Sequence, residues 1–170
     1  MASQNDEDLA LSRRAAAGDS AAFAMLVENY ERPLRAFLSR MGAADIADDI
    51  AQEAFLKAWR AAGQYDGSAR YSTWLTSIAW RCRLDELRRR PRAIEAQKAE
   101  QAEDSSGAEV SDMLARLSDK ERASLVLCEG HGWTHQEAAE LLGLPLGTLK
   151  STIARAKSRC REMWSGAAYG

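Results

Sequence analysis

Apolar side chains recur every three or four residues along most of the chain, which is the spacing of a helix that buries one face. The longest such stripe runs from Phe23 to Met41, and residues 45–61 and 72–90 repeat the same period. No segment shows the strict alternation of apolar and polar residues that marks a half-buried strand. The pattern predicts an all-α protein.

Residues 93–112 interrupt this pattern. They carry charged residues, Gln, Ser and Gly with almost no large apolar side chain, a composition typical of a flexible tether. Apolar residues return at Met113 and Leu114. We therefore predict two small helical domains, residues 1–92 and 113–170, joined by a flexible acidic linker over residues 93–112.

The charges are segregated along the chain, although the formal net charge is only −2. Six arginines face two acids between Arg81 and Arg92, and five cations face one acid between Lys150 and Glu162. The intervening segment 93–112 holds six acids and one lysine. The net charge therefore does not exclude nucleic-acid binding, which depends on where the cations lie.

Composition and length narrow the class of protein further. Hydrophobic residues form 46% of the chain and charged residues 28%, as in ordinary folded proteins. No apolar run reaches the roughly 18 residues that cross a bilayer, and residues 1–11 are acidic where a signal peptide would be basic. The three cysteines are widely spaced, unlike a disulfide framework. We predict a cytoplasmic protein with reduced thiols and no membrane insertion.

Residues 133–156 have the pattern of a helix-turn-helix. Thr134 and Glu137 have the spacing of a capping box, which would open a short helix that ends at Gly143. A second helix follows the turn, with Leu149 on its buried side. The second helix is the one expected to enter the major groove of DNA.

This second helix would present a polar, basic face. Lys and Arg can contact guanine edges or phosphates, hydroxyls can bond either, and a small side chain allows close approach. The predicted DNA-binding residues are Thr148, Lys150, Ser151, Ala154, Arg155 and Lys157. A plain helical hairpin with a solvated face is the alternative, but the short helix, glycine turn, second helix and basic exit together favour DNA binding.

Three stretches of the chain carry a family resemblance. Residues 136–151 read QEAAELLGLPLGTLKS, residues 48–59 read DDIAQEAFLKAW, and residues 73–90 begin with TWL and end with DELRRR. Together and in this order they resemble the extracytoplasmic-function (ECF) sigma factors of bacteria, over nearly all of residues 9–164. The resemblance implies a transcription initiation factor that directs core RNA polymerase to promoters, rather than an enzyme, with no cofactor or metal.

The helix predicted over residues 45–61 has an acidic outer edge. Taken by itself, this edge is an ordinary solvated face. The resemblance implies instead that it docks on the clamp helices of the polymerase beta-prime subunit, where complementary charge would orient association. The implied contact residues are Asp48, Asp49, Gln52, Glu53 and Phe55.

The resemblance also divides promoter recognition between the two domains. The helix-turn-helix would read duplex at the minus-thirty-five element. The loop formed by Tyr65, Asp66, Gly67 and Ser68 would hold a flipped base of the melted minus-ten element, and the following helix would bind the unstacked strand with rings and cations. The implied residues of that helix are Tyr71, Trp74, Trp80, Arg81 and Arg88. Among its aromatic residues we expect Trp74 to be buried, because Leu75 and Ile78 lie near its face.

Two positions depart from the common family pattern. Arg81 stands where many members have Asn near the base pocket, which leaves the base preference at the melted element open. Thr152 stands where a basic residue is common, which predicts slightly weaker phosphate anchoring. The family also implies an anti-sigma factor that covers the clamp-binding face or lies between the domains.

Three other interpretations fit parts of the sequence. A response regulator has a similar helix-turn-helix but needs a receiver domain, whose alternating strands and helices this pattern lacks. A sigma mimic that binds only an anti-sigma factor lacks an intact basic recognition helix, whereas Lys150 and Arg155 are present here. A zinc site at Cys128, His131 and His135 offers three ligands where a structural site needs four, and no catalytic Glu motif accompanies it; metal analysis would detect it.

Overall fold

The computed structural model describes residues 3–89 and 105–167. Within these ranges all regular structure is helical. The helices fall into two units, α1 to α4 in the first and α5 to α8 in the second. The prediction of an all-α chain with two helical domains is confirmed.

The first unit is built from four helices, and two short turns occur along the same stretch of chain, although residues 40–42 of the first turn group with the second unit. These elements are α1 (Gln4–Ala16), α2 (Ser20–Leu38), a π-helical turn (Ser39–Ala43), α3 (Ala47–Arg60), a 3-10 turn (Ala62–Gln64) and α4 (Tyr71–Arg89). The Ser3 side chain opens α1 in a capping box with Asp6, and the Asp19 side chain accepts from the backbone N–H of Ala22 to open α2.

The core of the first unit lies where α2, α3 and α4 meet. Leu26, Phe37 and Leu38 of α2 are fully buried, as the apolar stripe of residues 23–41 predicts. Ala54 of α3 and Ala79 of α4 also have no exposed surface. Small residues at these two positions let α3 and α4 approach each other closely. α1 packs on α2.

The second unit is a smaller helical assembly. Its elements are α5 (Ser105–Ala115), α6 (Asp119–Leu125), a π-helical turn (Val126–Gly130), α7 (His135–Leu142) and α8 (Leu146–Ala167). α8 packs against α5, α6 and α7. A capping box between Ser118 and Glu121 opens α6, so α6 begins where local sequence chemistry directs it.

The predicted flexible linker is helical in its last part. Residues 90–104 lie outside the described residues, but α5 begins at Ser105, inside the predicted range 93–112. Two contacts favour helix here over a tether. Leu114 is buried at the end of α5, and Asp112 pairs with Arg116 one turn later at 2.9 Å.

Among the described residues, no helix is both long enough and apolar enough to cross a membrane.

Candidate nucleic-acid interface

α7 and α8 form a helix-turn-helix with the predicted local chemistry. The Thr134 hydroxyl accepts from the Glu137 backbone N–H, and the Glu137 carboxylate accepts from the Thr134 N–H at 2.8 Å, so the predicted capping box is present. Gly143 ends α7 with φ at 62°, in the left-handed region that favours glycine. The N–H of Leu144 then donates to the Ala139 carbonyl at 2.9 Å. These contacts fix the turn that leads into α8.

α8 has one buried side and one exposed side. Leu149, Ile153 and Ala156 are at most 5% exposed and pack into the second unit. After Leu146 and Gly147, which are also exposed, the exposed residues of its first turns are Thr148, Lys150, Ser151, Ala154 and Arg155. We call these five residues the basic face. The face brings together five of the six predicted DNA-binding residues.

Thr152 lies on the buried side of α8, at 4% exposed. Its hydroxyl donates to the Thr148 carbonyl at 2.8 Å and accepts from Arg155 Nη2 at 3.4 Å. A side chain at this position faces the core, so we expect no phosphate contact from it. Thr152 instead helps to hold the guanidinium of Arg155.

Lys157, the sixth predicted residue, is engaged within the protein. Its ammonium group pairs with the Glu129 carboxylate at 2.8 Å, and its side chain is 40% exposed. A phosphate would therefore compete with Glu129 for this cation. Lys157 differs in this respect from Lys150 on the basic face, which forms no ion pair within the described part of the chain.

α4 is buried around most of its circumference. One buried stripe comprises Tyr71, Leu75, Ile78, Ala79 and Cys82, and a second, adjacent stripe comprises Thr73, Thr76, Trp80 and Arg83. Between Thr73 and Arg83 the accessible residues are Trp74, Ser77 and Arg81, which follow helical spacing along a single line. The last turns, from Leu84 to Arg89, are accessible on more sides, and Arg88 continues the same line. We call Trp74, Ser77, Arg81 and Arg88 the outward stripe.

The structure corrects the predicted roles of the aromatic residues in α4. Tyr71 is 1% exposed and Trp80 is 6% exposed, so neither ring has a face available for a base. Trp74, which we expected to be buried, is the ring that stays partly exposed. The reason is that Leu75 and Ile78 belong to the stripe of Tyr71, and that the guanidinium of Arg83 covers Trp80 at 5.2 Å from its ring centroid.

The loop of residues 65–68 has a fixed backbone shape. Asp66 Oδ1 accepts from the Ser68 N–H at 2.9 Å, and Gly67 has φ at +80°. Hydrogen bonds from Ser68 lower the pKa of Asp66, and both Asp66 and Ser68 are exposed. The tip therefore presents a carboxylate and a hydroxyl.

Tyr65 anchors this loop and does not face solvent. It is 4% exposed, and its ring lies 5.1 Å from Tyr71 and 5.4 Å from Trp74, centroid to centroid. Burial, together with the nearby carboxylates of Asp8 and Asp66, raises the pKa of Tyr65 to about 12. The hydroxyl therefore remains a protonated donor at neutral pH. We predicted that Tyr65 contacts the melted DNA; its buried ring instead supports the loop from below.

The outer edge of α3 carries the predicted acidic face, formed by Asp48, Asp49, Gln52 and Glu53. Three of these are exposed and Glu53 is partly exposed. Asp48 pairs with Arg35 of α2 at 3.0 Å, and Glu53 pairs with Lys57 at 2.8 Å. Asp49 and Gln52 lie between these pairs and are the most available to a basic partner.

Phe55, predicted beside the acidic face, lies in the core. It is 8% exposed and meets Phe23 edge-on at 6.4 Å between ring centroids. Leu56, which the sequence analysis did not single out, is 58% exposed. It follows Gln52 and Glu53 by four and three residues, so helical spacing alone places it on the acidic face.

The three residues of the zinc alternative do not gather into a metal centre. In the described ranges, no group of three or more His, Cys, Asp or Glu side chains is arranged to hold a metal ion. His135 is exposed on the first turn of α7. His131 is partly buried, and this burial lowers its pKa.

Comparison with protein families matches both units separately. Residues 26–93 match the family described as Sigma-70 region 2. Residues 107–160 match the family described as Sigma-70, region 4. The first range contains the acidic face, the 65–68 loop and the outward stripe, and the second contains the basic face.

Individual proteins match along nearly the whole chain. The ECF RNA polymerase sigma factor RpoE of Cereibacter sphaeroides is 33% identical over 86% of this chain and 88% of its own length. The ECF RNA polymerase sigma-E factor of Escherichia coli is 32% identical over 88% of this chain and 90% of its own. Among solved structures, CnrH in complex with the cytosolic domain of CnrY has a TM-score of 0.72 at 27% identity, covering 95% of this chain and 99% of CnrH.

Proposed function

This chain belongs to the ECF sigma factors, which are transcription initiation factors, and we propose how its surfaces divide the work of promoter recognition. Residues 1–92 act as region 2, which binds core polymerase and opens the minus-ten element. Residues 113–170 act as region 4, which reads the minus-thirty-five element. Residues 93–112 connect them.

The basic face of α8 carries the duplex-reading role. Two cations, Lys150 and Arg155, lie among small and hydroxyl side chains, while Leu149 and Ile153 hold the helix to its own core. An α-helix with such a face fits the width of the major groove, where Lys and Arg distinguish guanine. This face is the single observation that supports promoter reading most strongly.

The 65–68 loop and the outward stripe of α4 carry the strand-binding role. Trp74 offers a ring on which an unstacked base can stack, and Arg81 and Arg88 continue along the same side of the helix. Asp66 and Ser68 at the loop tip supply the hydrogen-bonding groups that a flipped base requires. Tyr71 and Trp80 serve the fold of this site from within the core.

The acidic face of α3 serves as the polymerase-binding surface. Asp49 and Gln52 offer hydrogen-bond acceptors to the basic clamp helices of the beta-prime subunit. The exposed Leu56 on the same face adds an apolar contact with these clamp helices. Replacing Asp49 and Gln52 together by Ala should weaken core binding about tenfold. Replacing Gln136 and Glu140 of α7, a similar exposed pair, is the matched control.

An anti-sigma factor is the expected regulator. The solved structure of CnrH contains the cytosolic domain of CnrY, which supports a comparable protein partner here. Such a partner would cover the acidic face, because occupying that surface excludes the polymerase.

Reconstitution with core polymerase tests the proposed function as a whole. Run-off transcription on fragmented genomic DNA should yield discrete transcripts that depend on this protein. If core polymerase that is saturated with this protein starts transcription at no specific site on any fragment, the proposed function is wrong.

A further inference from the structure

Helix α1 is fastened to the 65–68 loop through Asn5. The Asn5 side-chain amide donates to the Gly67 carbonyl at 2.9 Å. Its oxygen lies 2.8 Å from the Tyr65 hydroxyl, which shares its proton between Asn5 and the Ala69 carbonyl at 2.9 Å. Asn5 thus holds the tip of the loop with one end of its amide and the base of the loop with the other.

Two further residues on the same side of α1 reach this segment. A Cβ atom added at Gly67 would lie 3.0 Å from Leu9 Cδ2, so the loop tip rests directly on the Leu9 side chain. Ser12 Oγ donates to the Ala62 carbonyl at 3.0 Å, just before the loop. Asn5, Leu9 and Ser12 are spaced by four and three residues, which aligns them on one face of the helix.

α1 is itself held firmly enough to act as a support. Asp8 is 1% exposed and accepts a hydrogen bond from the Tyr30 hydroxyl of α2. Neither Asn5 nor its neighbours belong to the outward stripe or to the exposed loop tip. Any effect of Asn5, Leu9 and Ser12 on strand binding therefore passes through the segment that they contact.

We propose that Asn5 is a positioning residue, which sets the conformation in which the 65–68 loop receives an unstacked base. This inference rests on the proposed strand-binding role of the loop. Gly67 has φ at +80°. Because glycine can adopt many backbone conformations, the loop would leave this one for part of the time if its tip were released. A site that is shaped before binding discriminates ligands better than one that must be ordered by them. Asn5 thereby contributes to base preference without touching DNA.

The experiment uses holoenzyme formed from core polymerase and the full chain. The probe is a fork-junction DNA taken from a promoter mapped by run-off transcription, with each of the four bases placed in turn at every unpaired non-template position. Asn5→Ala should reduce the preference for the favoured base about three- to tenfold, because it removes the bonds at both ends of the loop. Binding to the upstream duplex alone should not change. Glu7→Ala, an exposed substitution in the same helical turn, is the control and should retain the wild-type preference.

Tyr65→Phe provides a second variant that keeps the buried ring and removes only the hydroxyl. It removes the bond from the base of the loop to Asn5 and leaves the bond from Asn5 to Gly67, so it should lower base preference less than Asn5→Ala does. The double variant Asn5→Ala with Tyr65→Phe should lose little more than Asn5→Ala alone, because the two residues share one hydrogen bond. Additive losses would overturn the inference, as would an unchanged base preference in Asn5→Ala. If the wild-type holoenzyme itself shows no base preference at any unpaired position, the proposed role of the loop fails, and the inference fails with it.

Discussion

α4 and α8 are long helices with basic stretches, yet they meet their surroundings in different ways. α4, with 19 residues, packs against α2 and α3 and is buried on two adjacent stripes. α8, with 22 residues, buries one stripe in its first turns and leaves the opposite side exposed. A helix enclosed by neighbours retains one outward line of side chains, whereas a helix packed on one side offers a whole face.

This difference separates stability from recognition in the two units. In α8 the residues that we propose to read DNA and the residues that hold the fold lie on opposite sides. In α4 the aromatic residues that support the fold alternate with the one ring that faces outward, Trp74. Neighbouring aromatic residues in α4 should therefore give different defects when replaced.

The largest expected effect comes from the buried rings of α4. Tyr71→Ala or Trp80→Ala should destabilise the first unit by about 3–5 kcal/mol, because each removes a buried ring and leaves a cavity. Such a loss is a large part of the stability of a small domain. Chemical denaturation followed by circular dichroism measures it. Trp74→Ala should cost clearly less, and equal losses at Trp74 and Trp80 would contradict the assignment of the two stripes.

The second effect concerns the basic face. Lys150→Ala with Arg155→Ala should lower the affinity of the holoenzyme for upstream promoter duplex on the order of 100-fold, since two specific cation contacts are removed. Binding to core polymerase in the absence of DNA should stay at the wild-type level. Lys120→Ala with Arg116→Ala removes the same charge from exposed positions of the second unit that are not on α8, and is the matched control. A comparable loss of affinity in that control would mean that the effect comes from net charge and not from the position of Lys150 and Arg155.

The third effect concerns the outward stripe. Trp74→Ala should weaken binding of a single-stranded minus-ten oligonucleotide to the holoenzyme about tenfold, because stacking on one ring is lost. Fluorescence anisotropy of a labelled strand measures this affinity. Trp164→Ala replaces a tryptophan of α8 that is 59% exposed, and it should leave the affinity unchanged. Retention of wild-type strand affinity by Trp74→Ala would remove this ring from the site.

The smallest expected effect tests whether Lys157, next to the basic face, can contribute to duplex binding. Glu129→Gln releases Lys157 from an exposed ion pair, which should raise duplex affinity about two- to threefold at low salt. The gain should shrink as salt is increased, because the added contact is electrostatic. Glu162→Gln changes the net charge by the same amount, on α8 near Lys157 but without an ion pair to it, and serves as the comparison. If both variants gain equally, Lys157 is not the cause.

Features set by neighbouring residues could be predicted from the sequence. The capping boxes of α6 and α7, the turn at Gly143 and the burial of Leu149 all depend on residues a few positions apart. The exposed positions of the basic face follow from the same spacing. Local chemistry was enough in the helix-turn-helix because α7 and the first turns of α8 bury one side and leave the other exposed.

Features set by distant residues could not be predicted in the same way. The burial of Tyr71 and Trp80 depends on which helices surround α4, and the apolar pattern of α4 alone does not show a second buried stripe. The contact between Asn5 and Gly67 joins residues 62 positions apart. α5 extends into the predicted linker because Leu114 has a core to enter, which the composition of residues 93–112 does not reveal.

Transcription from one promoter in two forms, fully duplex and opened in advance across the minus-ten element, tests the division of work most directly. On the duplex, strand contacts must offset the cost of opening, whereas the opened template no longer needs them for that step. The holoenzyme concentration is set to saturate the wild type and Trp74→Ala, but not a variant whose duplex affinity is on the order of 100-fold lower. We expect the opened template to restore most transcription to Trp74→Ala and to leave Lys150→Ala with Arg155→Ala defective. If opening the template restores both variants equally, or neither, the two units do not divide duplex reading and strand capture in this way.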